Sequence, residues 1–108
     1  MFASIRRYDF KSPPSAADVA KLSSQIEHDF VGKIEHLPGF HGYYMCNVDG
    51  RQLLTISLFD TKASADESAR LAAEFVKHTA LPVTIGPVDR AEGDVFLARE
   101  APREVGAH

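Results

Sequence analysis

The sequence predicts an α+β domain in which four strands and two helices follow one another in the order β-α-β-β-α-β. Three observations lead to this fold class. Two segments carry apolar residues three or four apart, β-branched and aromatic residues fill the segments around them, and a strong hairpin signal joins two of those segments. The chain has 108 residues, which suits one domain. We expect the domain to span residues 1–100 and the polar residues 101–108 to form a flexible tail.

The first strand is predicted at residues 2–10 (FASIRRYDF), where β-branched and aromatic residues are frequent. A Ser-Pro-Pro break follows it. Ser15 then precedes Asp18 by three residues, which is the spacing of a capping box, so a helix is expected to start here.

The first helix is predicted over Ala16–Leu37. Its apolar residues lie on one face of a long amphipathic helix: Val19, Leu22, Ile26, Phe30, Ile34 and Leu37. Gly32 lies inside this helix and favours a bend or close packing there. The Pro38-Gly39 pair ends the helix.

The second and third strands are predicted at residues 40–48 and 52–59, joined by the hairpin signal Asp49-Gly50. The third strand carries apolar residues on both faces. One face has Leu54, Ile56 and Leu58, and the other has Leu53, Thr55, Ser57 and Phe59. A strand with one solvated face alternates more cleanly, so both faces of this sheet are expected to be covered.

The second helix is predicted from Lys62 to about His78, with Asp60 or Thr61 as its cap. We place the fourth strand at residues 94–99 (DVFLAR). Residues 83–88 (VTIGPV) are expected to form an extended lead-in or a short edge strand.

This order of elements is the ferredoxin-like plait, in which both helices cover one face of a four-stranded antiparallel sheet. The other face would be bare, although it carries apolar side chains. A second copy of the sheet is the simplest cover. We therefore predict a homodimer in which two sheets pack face to face and enclose a barrel.

Composition excludes several classes of function. The net charge is −3 and the longest basic run is Arg6-Arg7, which argues against a nucleic acid or an anionic membrane as partner. No apolar run approaches the roughly 20 residues that span a bilayer. Cys46 is the only cysteine, and the N-terminus lacks the pattern of a signal peptide, so we expect a cytoplasmic protein.

No metal site is predicted from the histidines of the first helix. His28 and His36 lie eight residues apart, two helical turns from each other, and no carboxylate stands at a metal-binding spacing. We interpret both as exposed, and Cys46 as a small buried hydrophobic residue.

Four segments resemble the dimeric α+β barrel superfamily, and within it the antibiotic biosynthesis monooxygenase-like domains. They are LPGFHGYY at 37–44, NVDGRQLLTISLFDT at 47–61, ADESARLAAEFVKHTA at 65–80 and VTIGPVDRAEGDVFLAR at 83–99. The resemblance implies the dimeric fold. It also implies activities that range from cofactor-free oxygenation of quinols and polyphenols to haem degradation, lactone isomerisation and stress-associated roles. Haem-degrading members use an Asn, a Trp and a His together, whereas this chain has no Trp and no Asn in its first strand. We therefore expect no cofactor.

The densest group of polar aromatic residues is His41, Tyr43 and Tyr44 in the second strand. Strand alternation predicts that His41 and Tyr43 share one face and that Tyr44 points to the other. As catalytic residues, His41 would deprotonate a phenol or quinol and Tyr43 would hold its oxygen. Alternatively, the aromatics pack in the sheet or the dimer interface, and His41 lies near the exposed start of the strand.

Arg6 and Tyr8 share one face of the first strand and are candidate substrate-binding residues. An arginine inside a barrel could clamp a carboxylate or an enolate. Alternatively, Arg6 reaches solvent or an acidic neighbour such as Asp9 or Glu100.

A ligand pocket is predicted between the sheet and the helices, near the second helix. His78 is its candidate catalytic residue, and the predicted lining comprises Phe30, Ile34, Phe59, Leu71 and Phe75. The same residues could instead form a closed core.

Two functional hypotheses follow. The first is a cofactor-independent monooxygenase-like enzyme that acts on a small aromatic or quinol substrate. The second is a non-catalytic dimeric domain that binds a small molecule or has a stress-associated role. An isomerase or lyase of polar metabolites is a third reading and would need a charged group such as Arg6 facing the cavity. A cavity near His41, Tyr43 or His78 favours the enzyme, and a filled core without a cavity of about 300 Å³ favours the second hypothesis.

Overall fold

A computed structural model describes residues 1–79, 81–83 and 87–100 of the chain. The strands are β1 (Phe2–Asp9), β2 (Phe40–Val48), β3 (Gln52–Phe59) and β4 (Asp89–Asp94). The helices are α1 (Ala16–Ile26), α2 (Gly32–Ile34) and α3 (Lys62–His78), and a π-helical turn (Glu27–Val31) joins α1 to α2. The order of elements confirms the predicted ferredoxin-like α+β fold.

The four strands form one antiparallel sheet in the order β2-β3-β1-β4. The β2–β3 hairpin turns at Asp49 and Gly50, whose φ angles of 56° and 66° are both positive. Two positive φ angles at the centre of a two-residue loop match the right-handed twist of the strands, as the Asp-Gly pair predicted. The hairpin therefore fixes the register of β2 against β3.

The first helix begins as predicted, with a complete capping box between Ser15 and Asp18. It differs from the prediction in two respects. Its hydrogen bonding widens to a π-helical turn immediately before Gly32, and its last regular residue is Ile34 rather than Leu37. The buried stripe along it comprises Leu22, Ile26, Phe30 and Ile34. A π turn inserts about one residue into a helix, so it re-aims the apolar stripe toward the sheet.

The prediction for the fourth strand was wrong. The strand that pairs with β1 is Asp89–Asp94, and residues 95–100 are not in a regular element. All six residues of β4 are exposed, so its sequence (DRAEGD) carries no hydrophobic pattern that could mark it as a strand. Phe96 and Leu97, which attracted the prediction, are 98% and 81% exposed. The predicted lead-in at 83–88 and the tail at 101–108 lie partly or wholly outside the described residues.

The two faces of the sheet differ in what covers them. The inner face packs against the helices and contributes Tyr8, Leu53 and Phe59 to the core. The outer face carries Ile5, Leu54, Ile56 and Leu58, which are only half-buried. The apolar character that the sequence showed on both faces is therefore real, and the helices cover only one of them. Among the described helices, none combines the length and the apolar character needed to cross a membrane.

Candidate functional site

A cluster of buried polar side chains lies on the inner face of the sheet. Arg6 and Tyr8 alternate on β1, and Thr55 is the register partner of Arg6 on β3. Their exposed fractions are 4% for Arg6, 5% for Tyr8 and 3% for Thr55. Strand alternation places all of these side chains beneath the helices, where a plait normally has apolar residues.

Arg6 is the least expected member of this cluster. Its Nε and Nη1 atoms are buried without a hydrogen-bond partner among the described residues. The prediction that it reaches solvent or an acidic neighbour was wrong. The guanidinium is buried, and Asp9 instead accepts a hydrogen bond from Gln52 Nε2 at 3.0 Å. A buried charge without a partner costs several kcal/mol, so Arg6 is not present for stability.

The hydroxyl groups around Arg6 are also incompletely satisfied. Thr55 Oγ1 and Ser57 Oγ have no hydrogen-bond partner in the described part of the chain. Ser57 is completely buried. Native interiors rarely leave several neighbouring polar atoms unpaired, and such groups at one place indicate a role other than packing.

Tyr43 approaches this cluster from β2. Its ring lies edge-on to Phe30, with the ring centroids 5.6 Å apart. Burial raises the pKa of Tyr43 to about 12, while the charge of Arg6 acts in the opposite direction and the nearby hydroxyl of Thr55 lowers the pKa slightly. The phenol therefore stays protonated at neutral pH and can donate a hydrogen bond.

Burial also raises the pKa of Tyr8, and the charges of Arg6 and Arg90 oppose that shift. Arg6 thus acts electrostatically on both tyrosine hydroxyls. The cluster thus combines two protonated phenol groups with the fixed positive charge of Arg6. Hydrogen-bond donors beside a positive charge suit the binding of an anionic oxygen.

A cleft of about 530 Å³ lies between α1 and the edge strand β2. Tyr43 is on its wall beside a mostly apolar lining. The apolar lining includes Phe10, Leu22, Ile26, Met45 and Leu53, and Glu27 contributes a carboxylate. This volume falls within the range of about 300–1,000 Å³ that is typical of small-molecule pockets.

The cleft is not where the sequence placed the pocket. Phe30, Ile34 and Phe59 are at most 2% exposed and form closed core, so they line no cavity of their own. Leu71, Phe75 and His78 lie along a separate groove between α3 and the π-helical turn. That groove has a volume of about 420 Å³ and also contacts charged residues such as Lys33 and Glu74. The structure therefore separates His78 from Tyr43.

His41 and Tyr43 do not share a face of β2, contrary to the prediction. The register shifts between Phe40 and Gly42, so His41 is the extra residue of a bulge. Its exposed ring bonds to the carboxylate of Asp60 at the end of β3. A bulge interrupts the alternation on which the prediction rested.

Other predicted residues are found as follows. Tyr44, a candidate substrate-binding residue, lies on the outer face of the edge strand, is 55% exposed and also lines the rim of the cleft between α1 and β2. Cys46 is exposed, not buried as predicted, because it follows Tyr44 on the outer face of an edge strand. His28 and His36 are exposed, as predicted. Within the described ranges, no group of three or more His, Cys, Asp or Glu residues is arranged to hold a metal ion.

Sequence reasoning missed the α1 side of the cleft. Leu22 and Ile26 were predicted as buried, which they are, but nothing local indicates that the strand opposite them stands away from the helix. Glu27 was missed because a single glutamate on a helix surface is unremarkable in sequence. Glu27 begins the π-helical turn, and such turns are frequent at functional sites. The turn can be recognised only in the structure.

Comparison with known proteins places the fold. No protein-family model matches the chain, and no curated protein is a match. Among solved structures, the haem degrader MhuD from Mycobacterium tuberculosis, with two haems bound in its active site, aligns with a TM-score of 0.64 and 19% identity. That alignment covers 93% of this chain and 100% of MhuD.

Two further structures are similar over almost the whole chain. The ActVA-Orf6 monooxygenase of Streptomyces coelicolor, in complex with nanaomycin D, has a TM-score of 0.64 and 17% identity, with 94% of this chain and 92% of that chain covered. A dimeric ferredoxin-like protein from an uncultured marine organism has a TM-score of 0.63 and 12% identity, with 93% and 98% covered. The chain therefore has the ferredoxin-like α+β fold that these solved structures share.

Proposed function

We propose that the protein binds a small aromatic or quinol molecule in the cleft between α1 and β2 and oxygenates it without a cofactor. The observation that carries this proposal is that half-buried Tyr43, whose hydroxyl stays protonated at neutral pH, lines a mostly apolar cleft of about 530 Å³. An apolar cleft with few polar groups suits a flat aromatic ligand. A monooxygenase among the structures of the same fold supports the reaction class.

The chemistry would use the fixed charge and the phenol. A quinol or phenol must lose a proton before it reacts readily with molecular oxygen. The carboxylate of Glu27, which lines the cleft, would accept this proton. The positive charge of Arg6 in a buried environment favours the anion, and Tyr43 donates a hydrogen bond to its oxygen. In the keto tautomer of such a substrate, a ring CH₂ group reacts with O₂ and becomes C=O. One oxygen atom enters the product and the other leaves as water, so no external reductant is needed.

His41 has a smaller part in this proposal than the sequence suggested. It is exposed, bonded to Asp60, and is not among the residues that line the cleft. His78 lines a different groove. We therefore assign the substrate-positioning role to Tyr43, with Arg6 as a positioning residue that acts through its charge.

The experiment is oxygen uptake by metal-free protein with a panel of quinols and polyphenols. Wild type, Tyr43→Phe and His41→Ala are measured side by side. We expect turnover by wild type, a loss of about tenfold in Tyr43→Phe, since one hydrogen bond is removed, and little change in His41→Ala. Loss of activity in His41→Ala with activity retained in Tyr43→Phe would contradict the assignment.

A non-catalytic binding domain is the second candidate function. It is favoured because the described residues that line the cleft include no histidine, the commonest general base. This candidate predicts that a quinol binds the cleft with no oxygen uptake above the rate in buffer. The same panel, measured first for binding and then for uptake, separates the two functions.

We also propose that the outer face of the sheet is the interface of a homodimer. Ile5, Leu54, Ile56 and Leu58 form a half-buried apolar surface, and Tyr44 adds an exposed ring beside them. Phe96 and Leu97, which follow β4, are also exposed and would gain cover from a partner. A monomer of this size buries about two-thirds of its unfolded surface, so further apolar burial would stabilise it.

A further inference from the structure

A second cleft, of about 340 Å³, lies where β1, β4 and α3 meet. Its lining includes Ser4, Arg6, Asp66, Ala69, Arg90 and Glu92. This cleft is on the side of Arg6 away from the edge strand β2, and Arg6 does not line the larger cleft. A ligand in this cleft could therefore reach the guanidinium of Arg6, whose Nε and Nη1 atoms lack an acceptor among the described residues. The proposed oxygenase site lies in the other cleft.

The acidic residues of this second cleft do not neutralise Arg6. Lys62 Nζ lies 2.9 Å from Asp66 Oδ2 and 3.9 Å from Glu92 Oε1, so one lysine holds both carboxylates. Arg90 forms no ion pair with any described residue. With Lys62, the two arginines of the cleft carry three positive charges against the two negative charges of Asp66 and Glu92, so the surroundings of the cleft have a net positive charge.

The buried layer beneath the cleft also lacks acceptors. Nε and Nη1 of Arg6 have no acceptor among the described residues, although the side chain is only 4% exposed. Nε–H and the Nη1 amino group are separate donors on one planar guanidinium, and each can donate a hydrogen bond to an anionic oxygen. A buried guanidinium that is retained without a protein partner needs a ligand that supplies the missing acceptors.

We propose that the cleft between β1, β4 and α3 binds a small molecule through an anionic oxygen group, a carboxylate or an ionised phenol or enol, which Arg6 holds. Arg90 at the exposed edge strand adds a second positive charge that attracts the anion. The cleft has room for a single-ring molecule. This cleft is separate from the aromatic cleft, and although the charge of Arg6 also enters the proposed oxygenase chemistry, anion binding here requires no oxygenation.

Calorimetric titration of the full chain with benzoate tests the proposal. Benzamide has the same shape without the charge, and 2,4-dinitrophenolate, which is ionised at neutral pH, represents the phenol class. The variants are Arg6→Met and Arg6→Lys. Arg6→Met removes the charge at similar side-chain length, and Arg6→Lys keeps the charge but loses the planar set of N–H donors of the guanidinium. Arg51→Met removes an exposed positive charge in the β2–β3 turn and is the matched control.

We expect benzoate or dinitrophenolate to bind wild type at least tenfold more tightly than benzamide does. Arg6→Met should weaken binding of the anion about 10- to 100-fold, the loss that follows from one charge-assisted hydrogen-bonded pair. Arg6→Lys should be intermediate, and Arg51→Met should equal wild type. The anion that binds more tightly identifies the ligand class.

Thermal unfolding of the ligand-free variants gives an independent measurement. Replacement of an unpaired buried charge by an apolar side chain should leave the melting temperature of Arg6→Met equal to that of wild type or higher. The addition of benzoate should raise the melting temperature of wild type but not of Arg6→Met.

Three results would overturn the proposal. They are equal binding of benzoate and benzamide, anion binding that survives Arg6→Met or falls equally in Arg51→Met, and no binding of either anion by wild type at millimolar concentration. A melting temperature that falls sharply in Arg6→Met would show that the guanidinium has a structural partner, and would also overturn it. Loss of oxygen uptake in Tyr43→Phe would leave this proposal standing, because Tyr43 lines only the aromatic cleft and not the cleft of Arg6.

Discussion

Tyr43 shows how burial and charge compete at a single residue. Its hydroxyl lies in an interior where the phenolate is poorly solvated, and the resulting rise of the pKa to about 12 exceeds the opposing effect of Arg6. The net result is a phenol that stays a hydrogen-bond donor over the whole physiological range.

The stability of the protein should fall in alkaline solution because of Tyr43. A phenol whose pKa is about 12 in the folded state and about 10 when unfolded stabilises the fold below pH 10, and this contribution is lost as the pH rises toward 12. We expect wild type to lose about 2–3 kcal/mol more than Tyr43→Phe between these pH values. Urea unfolding at several pH values measures the difference. Parallel curves for the two proteins would contradict the shifted pKa.

The environments of single side chains were the features of the site that the sequence predicted least well. The sequence shows that Arg6 and Tyr8 share a face, and the structure agrees. The sequence does not show which face, because Arg6 would be ordinary on the outer face and is exceptional on the inner one. His41 was misplaced for a different reason. A one-residue bulge leaves no mark in the sequence, yet it moves a side chain to another environment.

At the scale of elements, two glycines that look alike in the sequence have opposite roles. Gly39 lies in the turn directly before β2 with a φ of 73°, and a Cβ there would lie 2.6 Å from Cβ of Asp60. Gly32 follows the π-helical turn with a φ of −55°, and a Cβ there would come no closer than 4.0 Å to Glu27 O. The first position requires glycine and the second does not.

Alanine substitutions should therefore change stability in opposite directions. Gly39→Ala should lower the free energy of unfolding by about 2 kcal/mol or more, since it combines a left-handed conformation with a clash against Asp60, the partner of His41. Gly32→Ala should leave it unchanged or raise it by about 0.5–1 kcal/mol. Denaturant unfolding of both variants provides the comparison. A stable Gly39→Ala protein would show that the strand entry is less constrained than described.

The elements themselves were mostly predictable, because their signals are local. The capping box, the Asp-Gly turn and the spacing of Leu22, Ile26 and Phe30 each fix one feature through neighbouring residues. β4 has no such signal. It joins the sheet by backbone pairing with β1 while all its side chains stay exposed, so only the tertiary structure identifies it.

The outer face of the sheet is the dominant feature at the scale of the whole molecule. Ile56 lies near its centre, paired with Ile5 on one side and Tyr44 on the other. Helices cover the inner face alone, so this surface needs a partner. The sequence predicted this arrangement from the apolar residues on both faces of β3.

A charge on this face should separate the subunits. We expect wild type to be a dimer by size-exclusion chromatography with light scattering, and Ile56→Glu to be a monomer, because a buried glutamate without a partner is costly. Ala20→Glu, which adds the same negative charge on the exposed side of α1, should remain dimeric. A monomeric wild type, or a dimeric Ile56→Glu, would contradict the assigned interface.

The position of the cleft between α1 and β2 depends on how whole elements pack, and for this reason the sequence did not predict it. The periodic residues Phe30 and Ile34 fill the space near α3 completely, whereas α1 and the edge strand β2 leave a gap. Helical periodicity predicts which residues face the sheet. It does not predict where two packed layers fail to close.

A titration of the ¹⁵N-labelled protein with 1-naphthol, monitored by amide chemical shifts, tests whether the cleft between α1 and β2 binds an aromatic ligand. The account predicts that the largest changes cluster around the cleft between α1 and β2, at Leu22, Tyr43 and Met45. Changes that cluster instead along the groove of Leu71, Phe75 and His78 would contradict it, and would return the ligand site to the place that the sequence alone suggested.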